Sequence, residues 1–145
     1  RRQRQMCIRD RLETMREIKF RGKRPDTMEW AVGSLVECFN GKTGIVSMTK
    51  YSEENGIKAI IDEVYPDTIG QYTGLKDKNG EEICEGDVLT DKFGSIGVVE
   101  WRNCGFVVNF GDVDIFLISD CFDDSYQMWA IGNMHDNPEL LKGVE

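Results

Sequence analysis

The sequence lacks most of the features from which an activity is usually assigned. It has one histidine, only 3 prolines and 5 cysteines, and no two of the cysteines are spaced as Cys-x-x-Cys. This argues against a structural zinc site and favours reduced thiols in a cytoplasmic protein. No apolar run approaches the roughly 20 residues of a membrane-spanning helix, and no Gly-rich phosphate-binding motif is present. We therefore expect no cofactor, no metal and no membrane insertion.

The charge of the chain is unevenly distributed. Residues 1–14 contain five arginines against Asp10 and Glu13, a net of +3, whereas the whole chain of 145 residues carries −8 and the remainder therefore −11. An acidic body repels phosphate backbones, which lowers the expectation of a nucleic-acid partner. We interpret residues 1–14 as a non-native N-terminal extension, the alternative being a basic arm that binds nucleic acid or membrane.

From Met15 onward the local signals are almost all those of β-structure. Three Asn-Gly dipeptides (40–41, 55–56 and 79–80) predict type I′ hairpin turns, which need positive φ at both central residues. The sequence therefore predicts an all-β fold, with a division near residues 62–70 into β subdomains 15–65 and 66–145. The β-prone runs include Ile18–Phe20, Glu29–Val36, Gly44–Met48, Ala59–Ile61, Ile83–Thr90, Ile96–Trp101, Phe106–Phe110 and Ile115–Ile118.

A short C-terminal helix is also predicted. Asn137 suits an N-cap, Pro138 suits the first helical position, and Glu139 favours the positive end of the helix dipole. Leu140 and Leu141 would then dock this helix onto the sheet.

Candidate catalytic and metal-binding groups are few. His135 lies in a turn and has no sequence neighbour that would make it half of a catalytic pair. The acidic loops lack the residue order of a calcium-binding loop, so a solvated acidic face is the default. We expect that the protein is not an enzyme. The loop aspartates are Asp112, Asp114, Asp120, Asp123 and Asp124.

The most informative segment is Gln71–Leu89, in which two β-prone runs flank Asn79-Gly80. Together with Met15–Arg21 and the C-terminal Asn137–Leu141, it resembles the YopX family of bacteriophage and prophage proteins across residues 15–145. The resemblance implies a mainly β protein built on SH3-like small barrel units and encoded by a phage or prophage. It transfers no enzymatic activity and no catalytic residues to this sequence.

The charged tip of the same hairpin is the candidate contact loop, with Tyr72, Lys76, Asp77 and Lys78 as its candidate residues. The alternative is a solvated turn that sets the strand register. Our leading hypothesis is a protein-binding module whose partner is a host or phage protein, with self-association left open. The second hypothesis is a nucleic-acid-associated module that uses the barrel as KOW-type domains do.

Overall fold

The computed structural model describes residues 16–111, 114–123 and 126–142. Regular structure in these ranges is almost entirely strand, in keeping with their many β-branched and aromatic residues. Their only helical pieces are single 3-10 turns at Pro66–Thr68, Ile118–Cys121 and Pro138–Leu141. The strands are β1 (Phe20–Lys23), β2 (Trp30–Glu37), β3 (Thr43–Ser52), β4 (Gly56–Glu63), β5 (Gly70–Lys76), β6 (Glu82–Cys84), β7 (Asp87–Thr90), β8 (Ile96–Arg102), β9 (Gly105–Asn109), β10 (Ile115–Leu117) and β11 (Trp129–Asn133).

The strands form two antiparallel sheets. The first has the order β4-β3-β2-β1-β5-β6, and the second has the order β10-β9-β8-β7-β11. The all-β prediction is confirmed. The predicted SH3-like barrel units are not confirmed. Within the described residues β4 does not pair with β6 and β10 does not pair with β11, so neither sheet closes into a barrel.

The first sheet is assembled across the division that the sequence suggested. Strands β5 and β6 follow residue 65, yet β5 pairs with β1 through Phe20–Gln71 and Arg21–Gly70. The sheets therefore do not divide the chain at 65/66, and the two subdomains stay a prediction. The N-terminal extension, residues 1–14, lies outside the described residues.

The predicted C-terminal helix is only the 3-10 turn Pro138–Leu141. Asn137 makes no side-chain cap bond to this turn. Its Oδ1 instead accepts a hydrogen bond from the Asn133 amide at 3.3 Å. The side chain that would have capped a helix thus closes the preceding turn, and the segment that follows is a single turn.

The Asn-Gly dipeptides lie in turns as predicted, but not as type I′ turns. Their glycines, Gly41, Gly56 and Gly80, have φ of +81°, +67° and +80°, whereas none of the three asparagines has positive φ. The pair with positive φ at both positions is Asn103-Cys104 (φ 51° and 63°), which joins β8 to β9. That two-residue connection has the geometry of a type I′ hairpin.

The described residues form two hydrophobic cores. The first is small, with Ala31, Ile45 and Val64 buried and the half-buried Phe20 and Ile69 packed against them. The second is larger and lies against the second sheet, and the first sheet contributes Ile83 of β6 to it. Its buried members are Ile83, Leu89, Val99, Phe106, Val108, Ile118, Cys121 and Met128.

Candidate functional site

The signature hairpin, β5–β6, is held in place by its polar residues. Thr73 donates its hydroxyl to the carbonyl of Ile83 at 2.7 Å. Tyr72 is only 4% exposed, and the Lys19 ammonium lies 4.9 Å from the centre of its ring. The ring lines a cleft of about 440 Å³ that also contains Arg21 and Trp30. Tyr72 is therefore part of a cleft wall rather than of the hairpin tip.

Asp77, another candidate contact residue, is buried and holds the hairpin tip together by hydrogen bonds. Its Oδ1 accepts hydrogen bonds from the amides of Asn79 (2.8 Å) and Glu81 (3.0 Å), and its Oδ2 accepts one from the Ala130 amide in β11 (3.0 Å). The side chain thus shapes the turn and ties it to the second sheet. Gly80 supplies the left-handed residue that the turn needs.

The same arrangement recurs between β7 and β8. Asp91 Oδ1 accepts from the amides of Phe93 (2.8 Å) and Ser95 (2.9 Å), with Gly94 at φ +81° in the place of Gly80. Its Oδ2 accepts the hydroxyl of Tyr126, which follows β10 in the chain. Two Asp-Lys-x-Gly turns, at 77–80 and 91–94, therefore anchor the C-terminal part of the chain. Our sequence reasoning missed this repeated tetrapeptide, although it is plainly readable.

The two lysines of the predicted loop are exposed. Lys78 lies with its ammonium 3.9 Å from the centre of the Trp129 ring, a cation–π contact that again connects the tip to β11. Lys76 lines both the Tyr72 cleft and a smaller cavity of about 210 Å³ beside Phe122. The structure therefore leaves Lys76 and Lys78 accessible and buries Tyr72 and Asp77. Contact by this loop stays a prediction.

A buried ion pair links the two sheets. Arg21 on β1 approaches Asp87 on β7, with Nη2 2.6 Å from Oδ1, and it also donates to the carbonyl of Glu85 at 3.2 Å. The other oxygen of Asp87 accepts the Cys84 amide at 2.8 Å. Burial raises the pKa of Asp87, and the neighbouring guanidinium opposes that rise. These bonds fix the position of β7 against the first sheet.

A second polar cluster lies beside this pair and connects the turn after β11 to β1 and β2. Asp136 pairs with Lys23, accepts the Trp30 indole N–H at 3.1 Å, and accepts the Asn133 side-chain amide at 3.0 Å. The hydrogen bonds from Asn133 and Lys23 lower the pKa of Asp136 to about 2. Trp30 is also 4.6 Å from the guanidinium of Arg21. The cluster is an interlock between the sheets.

His135, the candidate imidazole, lies beside the same interlock, and two of the thiols are buried. His135 packs edge-on against Trp30, with the ring centres 6.0 Å apart, and burial followed by the charge of Arg21 lowers its pKa. The thiols of Cys84 and Cys121 are buried, and burial raises the pKa of each to about 11. A buried thiol with a raised pKa is a poor nucleophile.

The acidic loops contain no assembled metal site in the part of the chain that the structure describes. No three His, Cys, Asp or Glu side chains there are grouped closely enough to hold a metal ion. Asp114, Asp120 and Asp123 lie within the described ranges, whereas Asp112 and Asp124 lie outside them. The described residues also include no helix that is long and apolar enough to cross a membrane.

The most conspicuous exposed surface lies on the first sheet, on the side of β2, β3 and β4 away from the small core. Residues directly opposite one another on antiparallel strands share a face. Between β3 and β4, Val46 is opposite Ile61 and Tyr51 is opposite Ile57. Between β2 and β3, Val46 is opposite Ser34, which shares a face with Val32 two residues earlier on β2. We call this set the outer apolar face: Val32, Val46, Tyr51, Ile57 and Ile61. Tyr51 and Ile57 are each 74% exposed, and Ile61 is 52% exposed.

Comparison with known protein families and structures agrees with the family resemblance of the sequence. The family model of the YopX protein matches residues 19–142. The chain belongs to the YopX family. Among solved structures it is similar to the crystal structure of protein EF1440 from Enterococcus faecalis, at 27% identity and a TM-score of 0.56, over 88% of this chain and 99% of that one. No curated protein matches the chain. The YopX assignment from the signature hairpin is therefore confirmed.

Proposed function

We propose that this YopX-family chain is a non-enzymatic accessory protein of a bacteriophage or prophage, and that it binds a host or phage protein in the bacterial cytoplasm. The observation that supports this function is the outer apolar face. Exposed hydrophobic residues are ordinary when they are scattered singly, but a contiguous set on one face is typical of an interaction site. On this face of β4, Ile57 and Ile61 are separated only by Ala59, and Tyr51 of the neighbouring strand lies opposite Ile57.

The position of β4 adds a second reason. It is the end strand of its sheet and eight residues long, so one of its edges has no neighbouring strand within the described residues. Exposed edges of this kind accept a further strand from a partner, whose backbone completes the ladder while alternate side chains supply specificity. The outer apolar face would then receive the apolar side chains of the added strand.

Three basic residues in and directly after β1 are paired with carboxylates, whereas other lysines of the first sheet, Lys76 among them, are exposed. Nucleic-acid affinity depends on Lys and Arg that are available to phosphates. Arg21 is paired with Asp87, Lys23 with Asp136, and Arg24 with Asp62 at 3.2 Å. We therefore treat the second hypothesis, a KOW-type nucleic-acid-binding module, as one possible result of the experiment below.

The test is affinity capture from host lysate with and without nuclease, using the chain from Met15 to Glu145 so that the Arg-rich residues 1–14 contribute nothing. The informative variant is Ile57→Thr with Ile61→Thr, since threonine keeps the β-branched shape but removes apolar surface. Phe93→Ser is the control, because Phe93 is also 74% exposed but lies in the turn between β7 and β8, away from the outer apolar face. Circular dichroism would establish that both variants keep their strands.

We expect a stoichiometric protein partner that resists nuclease, is retained by Phe93→Ser, and is lost with the double variant. Capture that disappears with nuclease would move the nucleic-acid alternative to first place. Equal capture by wild type and double variant would remove the outer apolar face from the proposal. Sedimentation of the purified chain would show separately whether a second copy occupies this face.

A further inference from the structure

The second sheet carries a pocket that the protein-binding proposal does not use. It has a volume of about 680 Å³ and lies beside β8, β9 and β10. That volume is within the range of ordinary small-ligand sites. The residues that decide its chemistry are Ile96, Phe110, Asp114, Phe116, Asp120 and Tyr126.

Three aromatic rings form much of the wall. Phe110 and Phe116 meet edge to face, with ring centres 5.7 Å apart and planes at 77°. Phe116 is nevertheless 49% exposed. Tyr126 is held by the bond from its hydroxyl to Asp91, and burial is the first cause that raises its pKa to about 12. The phenol therefore stays neutral, and its ring is fixed as part of the wall.

The polar part of the lining is of one charge. Asp114 and Asp120 both line the pocket and both are exposed. Neither carboxylate has an ion pair or a side-chain hydrogen bond with another residue that the structure describes, and no lysine, arginine or histidine of the described ranges lines the pocket. Two free carboxylates beside aromatic rings attract a cation and repel an anion.

We propose that this pocket binds an alkylammonium group, with the ammonium held by Asp114 and Asp120 and by the aromatic rings, and the aliphatic chain packed on Ile96. A cation over an aromatic face is attracted by the negative charge of the ring face, and a carboxylate adds a charge-assisted hydrogen bond. A free amine and a lysine side chain share this chemistry, so both are candidate sources. The pocket lies on the second sheet and is independent of the outer apolar face.

The experiment uses the full chain and three probes: butylammonium chloride, a lysine residue blocked at both backbone ends, and 1-butanol as the uncharged analogue. Binding is followed by ¹H–¹³C NMR at the Ile96 methyl groups and at the phenylalanine rings. We expect saturable shifts at Ile96, Phe110 and Phe116 with butylammonium. We expect 1-butanol to bind at least about tenfold more weakly, which corresponds to about 1.4 kcal/mol.

Two variants distinguish the contribution of the carboxylate to binding from that of the aromatic rings. Asp120→Asn removes one charge and should weaken butylammonium binding several-fold, whereas Asp67→Asn should not, since Asp67 is likewise exposed and likewise in the first turn of a 3-10 segment. Phe116→Leu should weaken binding, with Phe93→Leu as its control. All four positions are exposed, so the changes should leave the fold intact.

The outcomes decide both the site and the source of the ligand. Saturable binding of butylammonium alone supports the pocket and assigns it to a free amine, whereas binding of the blocked lysine as well supports it and admits a lysine side chain. Equal shifts from 1-butanol, or equal weakening by Asp67→Asn and Asp120→Asn, would overturn the proposal. The absence of saturable shifts from all three probes would overturn it as well.

Discussion

Removing the Asp77 carboxylate tests whether the signature hairpin is a structural anchor or a contact loop. In Asp77→Ala three backbone amides lose their acceptor: those of Asn79 and Glu81 in the turn, and that of Ala130 in β11. A hydrogen bond to a charged acceptor contributes about 1.5–3 kcal/mol when water cannot replace it, and less when water can. Asn79 and Glu81 are exposed, so their amides belong to the second class, whereas Ala130 is half-buried in β11 and its amide lies closer to the first.

The expected loss is therefore about 3 kcal/mol in the free energy of unfolding, of which the Ala130 bond supplies somewhat more than half. For a chain of this size such a loss corresponds to a fall in Tm of about 10 °C. Urea unfolding followed by tryptophan fluorescence would measure the free energy, and a thermal melt would measure the Tm.

Asp77→Asn divides the effect between the turn and the strand. The asparagine retains one acceptor oxygen for the amides of Asn79 and Glu81, but it presents an N–H₂ group to the Ala130 amide. We expect a loss of about 1.5 kcal/mol, which is the cross-strand part alone. Asp26→Ala is the control, because Asp26 is exposed and accepts only one local amide bond, from Thr27 at 2.8 Å. If Asp77→Ala cost no more than Asp26→Ala, the anchor interpretation would be wrong.

Three further predictions test the link between the sheets. Asp87→Ala should cost about 3 kcal/mol in urea unfolding, since it leaves the charge of Arg21 half-buried and unpaired; a loss below about 1 kcal/mol would show that water reaches the pair. Because the pKa of Asp136 is lowered to about 2, its stabilisation is present at neutral pH and is lost as pH falls from about 4 to about 2; the stability difference between wild type and Asp136→Asn should narrow over that range. Iodoacetamide at pH 8 should alkylate the exposed Cys104 well before the buried Cys84, as peptide mass spectrometry would report, and equal rates would contradict the burial of Cys84.

Most strands were predictable because each is encoded locally, but β11 was not predicted, and the predicted run Ile83–Thr90 is two strands, β6 and β7, that belong to different sheets. Alternating apolar residues and Gly-containing turns mark where β-runs begin and end, and the two sheets confirm the all-β prediction. Strand pairing was not predictable in the same way. The pairing of β1 with β5 joins Arg21 to Gly70, and it depends on burial that no local window contains. The closed barrel was an inference from resemblance, and sheet closure is likewise a long-range property.

The interlock between the sheets was missed for the same reason. Arg21 and Asp87 are 66 residues apart in sequence, and Trp30 and Asp136 are 106 apart. Nothing in the neighbourhood of either partner distinguishes it from a solvated charge or an ordinary strand residue. The turn at Asn103-Cys104 was missed because cysteine is not a residue that predicts positive φ, and only the short connection between β8 and β9 imposes it.

At Asp77 the turn was predicted correctly, but the hydrogen bond that its side chain makes to β11 was not. The charged tip was identified as a turn, and the turn is there. A carboxylate three residues before a glycine can remain in water, or it can accept the amides of its own turn and still have one oxygen free for another strand. The second arrangement requires burial, and the repetition of Asp-Lys-x-Gly at 91–94 is the sequence evidence for it, because each aspartate uses its second oxygen on the C-terminal part of the chain. By the same reasoning, the side chains free to meet a partner are those that no segment covers, and on the first sheet these include Tyr51 on β3 and Ile57 on the end strand β4.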